Sequence, residues 1–339
     1  MNARRFAYFC GAMLLLIAAL TWVSAATGSI AIAPGEILGI LSGRPGDPMN
    51  ESILFSIRLP RTVSAILLGG ALSLSGYLLQ SFFGNPIVGP FVLGISSGAK
   101  LTVAFAMIFF LSRGREIGLF GMVASAFAGS MLVISFVLAI SARVRSMSVL
   151  VVCGIMTGYI CSAVTDFVVT FAEDSNIVNL HNWSMGSLSG INWREIRVIL
   201  IIVGLCLLLS VFLVKPMGAY RLGEAYAQGA GINLKLFRGM LILISSLLAS
   251  CVTAFAGPVS FVGIAVPHLA RTALKTDAPA AMLPASFLCG AAVTLFCDTI
   301  ARTVFAPAEI SISSVTAVFL VPVVIVMLLR QRGRKEDGI

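Results

Sequence analysis

The chain has 339 residues, of which 58% are hydrophobic and 11% are charged, with a formal net charge of +9. Soluble domains are about 45–50% apolar and about 25% charged, so a soluble protein of this size could not bury so much apolar surface. The composition therefore excludes a water-soluble enzyme, a disordered protein and a protein that reads nucleic acid. It predicts an all-α polytopic membrane protein, with residues 1–339 forming one transmembrane domain.

The apolar runs predict about ten transmembrane helices, at roughly 20 apolar residues per span. Nine of them cover residues 6–26, 60–83, 92–112, 119–142, 148–171, 196–214, 239–256, 279–297 and 311–330, and a short helix lies within 257–271. We interpret the first run as a retained span, because no clean signal-peptide cleavage site follows it. Two long polar segments remain, an outer loop at 27–59 and an inner loop at 215–238.

Lysine and arginine are unevenly divided between the two predicted sides of the membrane. With the N-terminus inside, the inner segments carry 14 of them, including Arg143 and Arg145, and the outer segments carry 8, including Arg115. Because positive charge is enriched in cytoplasmic loops, this excess predicts that both termini are cytoplasmic.

Two irregular segments interrupt the apolar pattern. Residues 84–90 contain two prolines and two glycines and cannot continue a helix. Such backbone is tolerated at membrane depth only inside protein or along a water-filled path, so this segment is either a gate or an ordinary cytoplasmic turn. Residues 257–271 predict a short or broken helix in a packed bundle. His268 within it is better explained by a structural hydrogen bond than by a proton relay or a metal site.

Several charged residues lie in or near the predicted spans. Arg58 and Arg61 are three residues apart, so they are expected to project to one side, toward lipid headgroups or an acidic external partner. Arg302 follows Asp298 by four residues, so a local ion pair is the alternative to contact with a partner. Asp166 is the acid nearest the middle of a span, where it is either functional or paired within the bundle.

Small residues concentrate in two places. In the second span they lie between Gly69 and Gly76, where they predict close packing of helices. In the inner loop, the segment from Leu222 to Gly231 predicts a short helix closed by a glycine-rich turn. Such a helix at the cytoplasmic surface is suited to docking another protein.

The sequence indicates no chemistry performed by this chain itself. The seven cysteines are scattered singly, which predicts small buried hydrophobic residues. The segment 94–102 lacks the spacing of a phosphate-binding loop, because Ala99 separates Gly98 from Lys100 and Leu101 follows the lysine. We therefore expect no catalytic residue, metal site or cofactor on this chain, and any ATP-driven step would require another subunit.

Seven segments, taken in order, resemble the FecCD-type permeases, which are the membrane subunits of ATP-driven importers for iron-siderophores, haem and vitamin B12. They are RLPR (58–61), GNPIVGPFVLGISSGA (84–99), WSMGSLSGINW (183–193), LGEAYAQGAGI (222–232), GPVSFVGIAVPHLAR (257–271), DTIAR (298–302) and AEISISSVTA (308–317). Together they extend over nearly the whole chain, and their shared order is far more specific than any one motif.

The resemblance implies a type II ABC importer permease fold with about ten helices per subunit, in a homodimer or close heterodimer of the cell membrane. It implies two ATPase subunits that bind ATP and Mg²⁺, and an extracytoplasmic substrate-binding protein. The resemblance also implies roles for residues at matching positions. It implies that the binding protein docks at Arg58, Arg61 and Arg302, and that an inner gate contains Asn85, Pro86 and Ile87. It implies that the ATPase couples to the chain at Leu222, Gly223, Glu224, Ala227 and Gly231, and that the translocation path is lined by Met156, Thr157 and Ile160.

The sequence departs from the family pattern at two places, and it leaves the cargo open. Lys100 stands where these permeases usually have a small or apolar residue, so it needs a partner if it points into the bundle. Residues 311–315 lack the usual proline and glycine, which leaves the start of the last helix open. An iron-siderophore is the expected cargo as the most frequent one, with haem or a corrinoid as alternatives. The alternatives from other classes are an ion-coupled secondary transporter using Asp166, Lys100 and His268, and a non-transporting scaffold.

Overall fold

The computed structural model of the protein describes residues 3–28, 30–44, 46–91, 93–111, 113, 117–141, 147–172 and 174–336. Arg115, Arg143 and Arg145, which contribute to the predicted charge asymmetry, lie outside the described residues. Within the described residues there are fourteen α-helices and no strand, which confirms the all-α class. In chain order they are α1 (Ala3–Ala26), α2 (Pro34–Leu41), α3 (Pro48–Ile53), α4 (Leu59–Phe83), α5 (Ile95–Leu111), α6 (Leu119–Ser141), α7 (Met147–Val169), α8 (Asp174–Ser184), α9 (Trp193–Tyr220), α10 (Glu224–Gly229), α11 (Leu234–Ala256), α12 (Val262–Leu274), α13 (Pro279–Thr303) and α14 (Ile312–Glu336).

Each of the ten predicted spans corresponds to one of these helices. In the described part of the chain, eight helical segments are long and apolar enough to cross a membrane, and they contain α1, α4, α6, α7, α9, α11, α13 and α14. The other two predicted spans are the shorter helices α5, with 17 residues, and α12, with 13. The start of the last helix, which the sequence left open, lies at Ile312.

The polar segments contain more helix than the sequence predicted. In the outer loop, α2 and α3 each begin at a proline, which suits the first turn of a helix. Asp47 caps α3 by accepting a hydrogen bond from the Met49 backbone N–H at 3.0 Å. A five-residue π-helical stretch, Leu54–Arg58, then joins α3 to α4 without a break. Helix α8 was also not predicted.

The predicted inner loop 215–238 is shorter than expected. Helix α9 continues through Pro216 to Tyr220, because a membrane helix tolerates the loss of the one backbone hydrogen bond that proline cannot donate. Helix α11 begins already at Leu234, where the Asn233 side chain caps it. Only the segment between these two helices, with α10 inside it, connects them at this end.

Helix α4 occupies the centre of the bundle and packs against α9, α11, α12 and α13. A Cβ added at Gly76 would lie 1.7 Å from the carbonyl oxygen of Gly263 in α12. A Cβ added at Gly69 would lie 2.7 Å from the carbonyl oxygen of Gly290 in α13. The helices approach this closely only because these positions lack a side chain, which confirms the packing role predicted for the small residues.

The cysteines differ in how deeply they are buried in the bundle. Five of the seven, Cys161, Cys206, Cys251, Cys289 and Cys297, are buried, as predicted. Cys10 and Cys153 are partly exposed, and all seven are free thiols.

Candidate functional site

Arg58, Arg61 and Arg302, which we call the arginine cluster, lie at the predicted outer ends of α4 and α13. Arg61 donates hydrogen bonds to Asp298 from Nε at 3.0 Å and from Nη2 at 2.9 Å, and from Nη1 to Glu309 at 2.8 Å. The Asp298 side chain is 0% exposed, whereas that of Glu309 is 42% exposed. A buried charge must be paired, so Asp298 holds Arg61 in place while Glu309 forms the solvent-facing part of the cluster.

Arg58 reaches a different set of partners from Arg61. Its guanidinium is buried and donates to the backbone carbonyl oxygens of Ala25, at 2.5 Å, and Ile30. Arg58 thus turns toward the end of α1, while Arg61 turns toward α13. The two side chains diverge, contrary to the expectation that they would project to one side.

Arg302 is also buried and faces inward. It donates to the Ser24 carbonyl oxygen and, at 2.6 Å, to the Ser24 Oγ atom. Its Nε atom lies 3.9 Å from Asp298 Oδ2, so the predicted local ion pair is present at the limit of contact. Arg58, Arg302 and Glu309 together line a cavity of about 180 Å³. The cluster therefore binds its own chain while part of it borders a cavity that an external group can enter.

The segment expected to form the inner gate, residues 84–90, is a tight turn that ends α4, and we call it the gate turn after that expectation. Gly84 ends the helix in the left-handed conformation, at a φ of 59°. The Asn85 side chain then accepts a hydrogen bond from the Ile87 backbone N–H at 3.1 Å. Ile87 is 40% exposed, and the chain after it is buried up to Pro90. An apolar side chain is thus presented at the turn on a fixed backbone, as a gate requires.

The segment expected to couple to an ATPase contains the predicted short helix, α10. A glycine flanks the helix on each side in a conformation that other residues rarely adopt, Gly223 at a φ of 119° and Gly231 at a φ of 82°. Ala227 lies on the buried face of this helix and is fully buried, whereas Leu222 and Tyr226 are exposed. Its first residue, Glu224, forms an ion pair with Arg238 of α11. The helix is therefore anchored on one side and leaves apolar side chains for a partner on the other.

The residues expected to line the path lie along an exposed apolar face of α7. Met156 is 52% exposed and Ile160 is 63% exposed, and Phe167 continues the same face. Thr157 is partly buried and its hydroxyl donates to the Cys153 carbonyl oxygen at 2.7 Å. An exposed apolar face of this kind is suited to lipid, to a second subunit or to a path between subunits.

The residues of the alternative ion relay are not joined by ion pairs. Lys100 is partly buried on α5 and Asp166 is exposed on α7, and within the described chain neither has an ion-pair partner. His268 contacts the Thr272 hydroxyl at 3.4 Å, which supports the predicted structural hydrogen bond. The partner that the sequence required for Lys100 is therefore not a carboxylate of the described residues.

A second charged group, which sequence reasoning missed, lies beside the gate turn. Asp277, in the connection between α12 and α13, accepts hydrogen bonds from Arg271 of α12 and, through its backbone oxygen, from Arg221. Arg221 Nη2 also lies 3.3 Å from Asp277 Oδ2. We call Arg221, Asp277 and Arg271 the inner triad. No motif in the sequence indicates this group of charges, because Arg221 and Asp277 are 56 residues apart.

Comparison with known proteins extends the resemblance. A family model described as the FecCD transport family matches residues 14–330. The chain is 34% identical over 334 residues to the vitamin B12 import system permease protein BtuC of Klebsiella pneumoniae, covering 98% of this chain and 96% of that protein. It is 33% identical over 320 residues to the protein of the same name from Salmonella typhi, covering 93% of each.

Two solved structures are similar to this fold. A metal-chelate type ABC transporter in an inward-facing conformation matches with a TM-score of 0.83 at 27% identity, covering 95% of this chain and 98% of that chain. PsaBC from Streptococcus pneumoniae, solved with a Fab, matches with a TM-score of 0.58 at 14% identity, over 86% of this chain and 94% of that one, and shows the fold alone. The chain, an integral membrane protein with eight membrane-length helices in its described part, belongs to the FecCD transport family.

Proposed function

We propose that the chain is the transmembrane permease subunit of an ABC importer that carries a metal chelate across the cytoplasmic membrane. The observation that carries this proposal is the end-to-end likeness to vitamin B12 import permeases, with 34% identity over 98% of this chain. The TM-score of 0.83 against a metal-chelate type ABC transporter supports the same class. The role needs no catalytic residue on this chain, because alternation between two packings of similar energy moves the cargo.

We propose a corrinoid as the cargo, ahead of the iron-siderophore favoured from the sequence, because the relatives are named for vitamin B12. The metal would cross inside its organic chelator, along a path whose lining on α7 includes the apolar side chains of Met156 and Ile160. Such a lining would bind the chelate weakly, which suits a path that must release its cargo. Haem and ferric siderophores are the comparison cargos.

In the proposed assembly, a second copy of this chain faces α7, and the path runs between the two copies. Two ATPase subunits would hold α10 and supply ATP and Mg²⁺, so no cofactor is assigned to this chain. Both termini would be cytoplasmic, as the positive charge of the inner segments favours.

An extracytoplasmic binding protein would deliver the cargo at the arginine cluster. Glu309 pairs with Arg61 yet is 42% exposed, so an acidic group of the binding protein can replace it there. Arg58 and Arg302 line the cavity beside this pair and would provide further positive charge. Exchange of one carboxylate for another lets the binding protein dock without uncovering a buried, unpaired arginine.

The test is transport by the reconstituted complex. The permease is purified in mild detergent with its co-purifying ATPase, reconstituted with the binding protein into liposomes, and offered radiolabelled cyanocobalamin, a ferric hydroxamate siderophore or haem. We expect cyanocobalamin uptake that requires ATP, is blocked by vanadate and resists a protonophore. Uptake that survives vanadate and is abolished by a protonophore would establish the ion-coupled alternative. Uptake of another chelate alone would retain the importer and reject the corrinoid.

A further inference from the structure

The inner triad connects the segment that leads into α10 with α12 and the α12–α13 connection, at the end of the bundle where α9 also packs against α13. Arg221 lies at the end of α9, three residues before α10 begins at Glu224. Asp277 and Arg271 belong to the α12–α13 connection and to α12. Helix α10 itself packs against α9 and α11. In the described chain, the pair of Arg221 with Asp277 is the ion pair that joins the α10 segment to α12 and α13.

The N-terminal end of α12 lies against the gate turn. A Cβ added at Gly263 would lie 3.0 Å from the Pro90 ring, and one added at Gly89 would lie 2.7 Å from the Ile264 side chain. Gln80 of α4 also donates to the Ile264 carbonyl oxygen at 3.1 Å. Since a helix rises about 1.5 Å per residue, Ile264 and Arg271 are about 10 Å apart along the axis. One continuous helix, with Pro267 in its interior, thus contacts the gate turn at its start and the triad near its end.

A cavity of about 300 Å³ lies between the triad and the gate turn. It is lined by Asn85 and Pro86 of the turn and by all three triad residues. Gln80 also lines it, and its amide oxygen is buried without a hydrogen-bond partner among the described residues. The triad and the turn therefore have room to move relative to each other, and a second position of α12 could give the Gln80 oxygen a partner.

From these contacts we infer that α12 is a lever that transmits the position of α10 to the gate turn through the inner triad, with Asp277 as the positioning residue. This inference rests on the proposed function, because it assigns the route of the ATPase signal. Arg221 ends α9 three residues before α10 begins, and Arg271 lies in α12. Asp277 accepts from both, so displacement of α10 pulls on α12 while Arg271 keeps the carboxylate paired.

The triad suits this role because its charges are only partly buried. The exposed fractions of the side chains are 40% for Arg221, 40% for Asp277 and 26% for Arg271. An ion pair at this depth rearranges at low cost, unlike the fully buried pair of Arg61 with Asp298. The two ends of the bundle thus use the same chemistry differently, one pair for a fixed attachment and one for a movable link.

The experiment uses the complex of permease, ATPase and binding protein in liposomes, with three readouts. They are ATP hydrolysis, cyanocobalamin uptake, and the rate of maleimide labelling of Ile87→Cys with and without ATP, measured by mass spectrometry of that peptide. The variants are Asp277→Asn, Arg221→Gln, both together, and Asp277→Glu. The matched control is Lys275→Asn, a one-unit charge change in the same connection at an exposed residue. Its left-handed conformation, at a φ of 50°, is one that asparagine tolerates.

Because single links in a coupling network change coupling by about 2- to 30-fold, we expect Asp277→Asn to lower uptake about tenfold. Hydrolysis should persist, and the ATP-dependent change in labelling at residue 87 should be lost. Arg221→Gln should act likewise, the double variant should be no worse than either single one, and Asp277→Glu should restore uptake. The control Lys275→Asn should match the wild type in all three readouts.

Three results would overturn the lever: an unchanged labelling response in Asp277→Asn, an equal loss of hydrolysis and uptake, or additive losses in the double variant. If the wild-type complex shows no ATP-dependent uptake of any chelate, the proposed function fails. The labelling experiment is then the remaining test of whether α12 acts as a lever. A response at residue 87 that Asp277→Asn abolishes supports it, and no response in the wild type refutes it.

Discussion

The arginine cluster makes a quantitative prediction about two carboxylates that share one arginine. Asp298→Asn removes a carboxylate that is 0% exposed and accepts hydrogen bonds from Arg61 at 2.9 and 3.0 Å. Breaking a buried pair in this way costs about 3–5 kcal/mol. Arg61 then keeps only the partly exposed Glu309 as a carboxylate partner, and the buried Arg302 loses its contact with Asp298. Glu309→Gln removes the second carboxylate from the same guanidinium, but that carboxylate is 42% exposed. Solvent screening limits its cost to about 0–1 kcal/mol.

The assay for this prediction is thermal unfolding in mild detergent, followed with a thiol-reactive dye. Five buried cysteines become reactive only when the bundle opens, so dye fluorescence reports loss of the core. We expect a large loss of stability for Asp298→Asn and a small one for Glu309→Gln. The double variant Arg61→Met with Asp298→Asn should be more stable than Asp298→Asn alone, because it also removes the guanidinium that has lost its buried carboxylate partner. Equal effects of the two single substitutions would refute the distinction between buried and exposed pairing.

Two further predictions concern glycines with matched controls. Gly76→Ala should destabilise the protein by about 3 kcal/mol in the same assay, because its Cβ would lie 1.7 Å from the Gly263 carbonyl oxygen. Gly218→Ala on α9, with nothing within 4 Å, should be neutral or stabilising by about 0.5–1 kcal/mol, and an equal loss in both would contradict the close-packing argument. Gly223→Ala should strain the start of α10 by about 1–3 kcal/mol and lower ATP-driven uptake, since its φ is 119°. Gly229→Ala, at an ordinary φ and in open space, should leave uptake unchanged, and uptake unaffected by Gly223→Ala would count against a fixed α10.

Much of the fold follows from the sequence because the membrane thickness fixes the length of an apolar span. All ten predicted spans correspond to helices, including the short helix within 257–271. The prolines and glycines of residues 84–90 located the turn that ends α4. The helix-forming residues Glu224, Ala225, Ala227 and Gln228, followed by a glycine-rich turn, located α10. These are local features, in which each residue's own backbone preference decides the structure.

The sequence was less informative where helices begin or end in polar segments. Helices α2, α3 and α8 were missed because their residues lack a long apolar run. The end of α9 was placed too early because Lys215 and Pro216 interrupt the hydropathy signal, although the helix continues to Tyr220. In each case helix formation depends on caps and neighbours rather than on hydropathy.

The sequence by itself determined that this is a multi-spanning membrane protein of one transport family, and where its spans, the turn at residues 84–90 and the short helix α10 lie. Only the tertiary structure decided which charges meet. Arg61 finds Asp298 across 237 residues and Glu309 across 248, and Arg221 finds Asp277 across 56. The physical reason is that a span is a local property of consecutive residues, whereas an ion pair depends on the spatial order of helices around α4. That order is set by close approaches between small residues far apart in the chain.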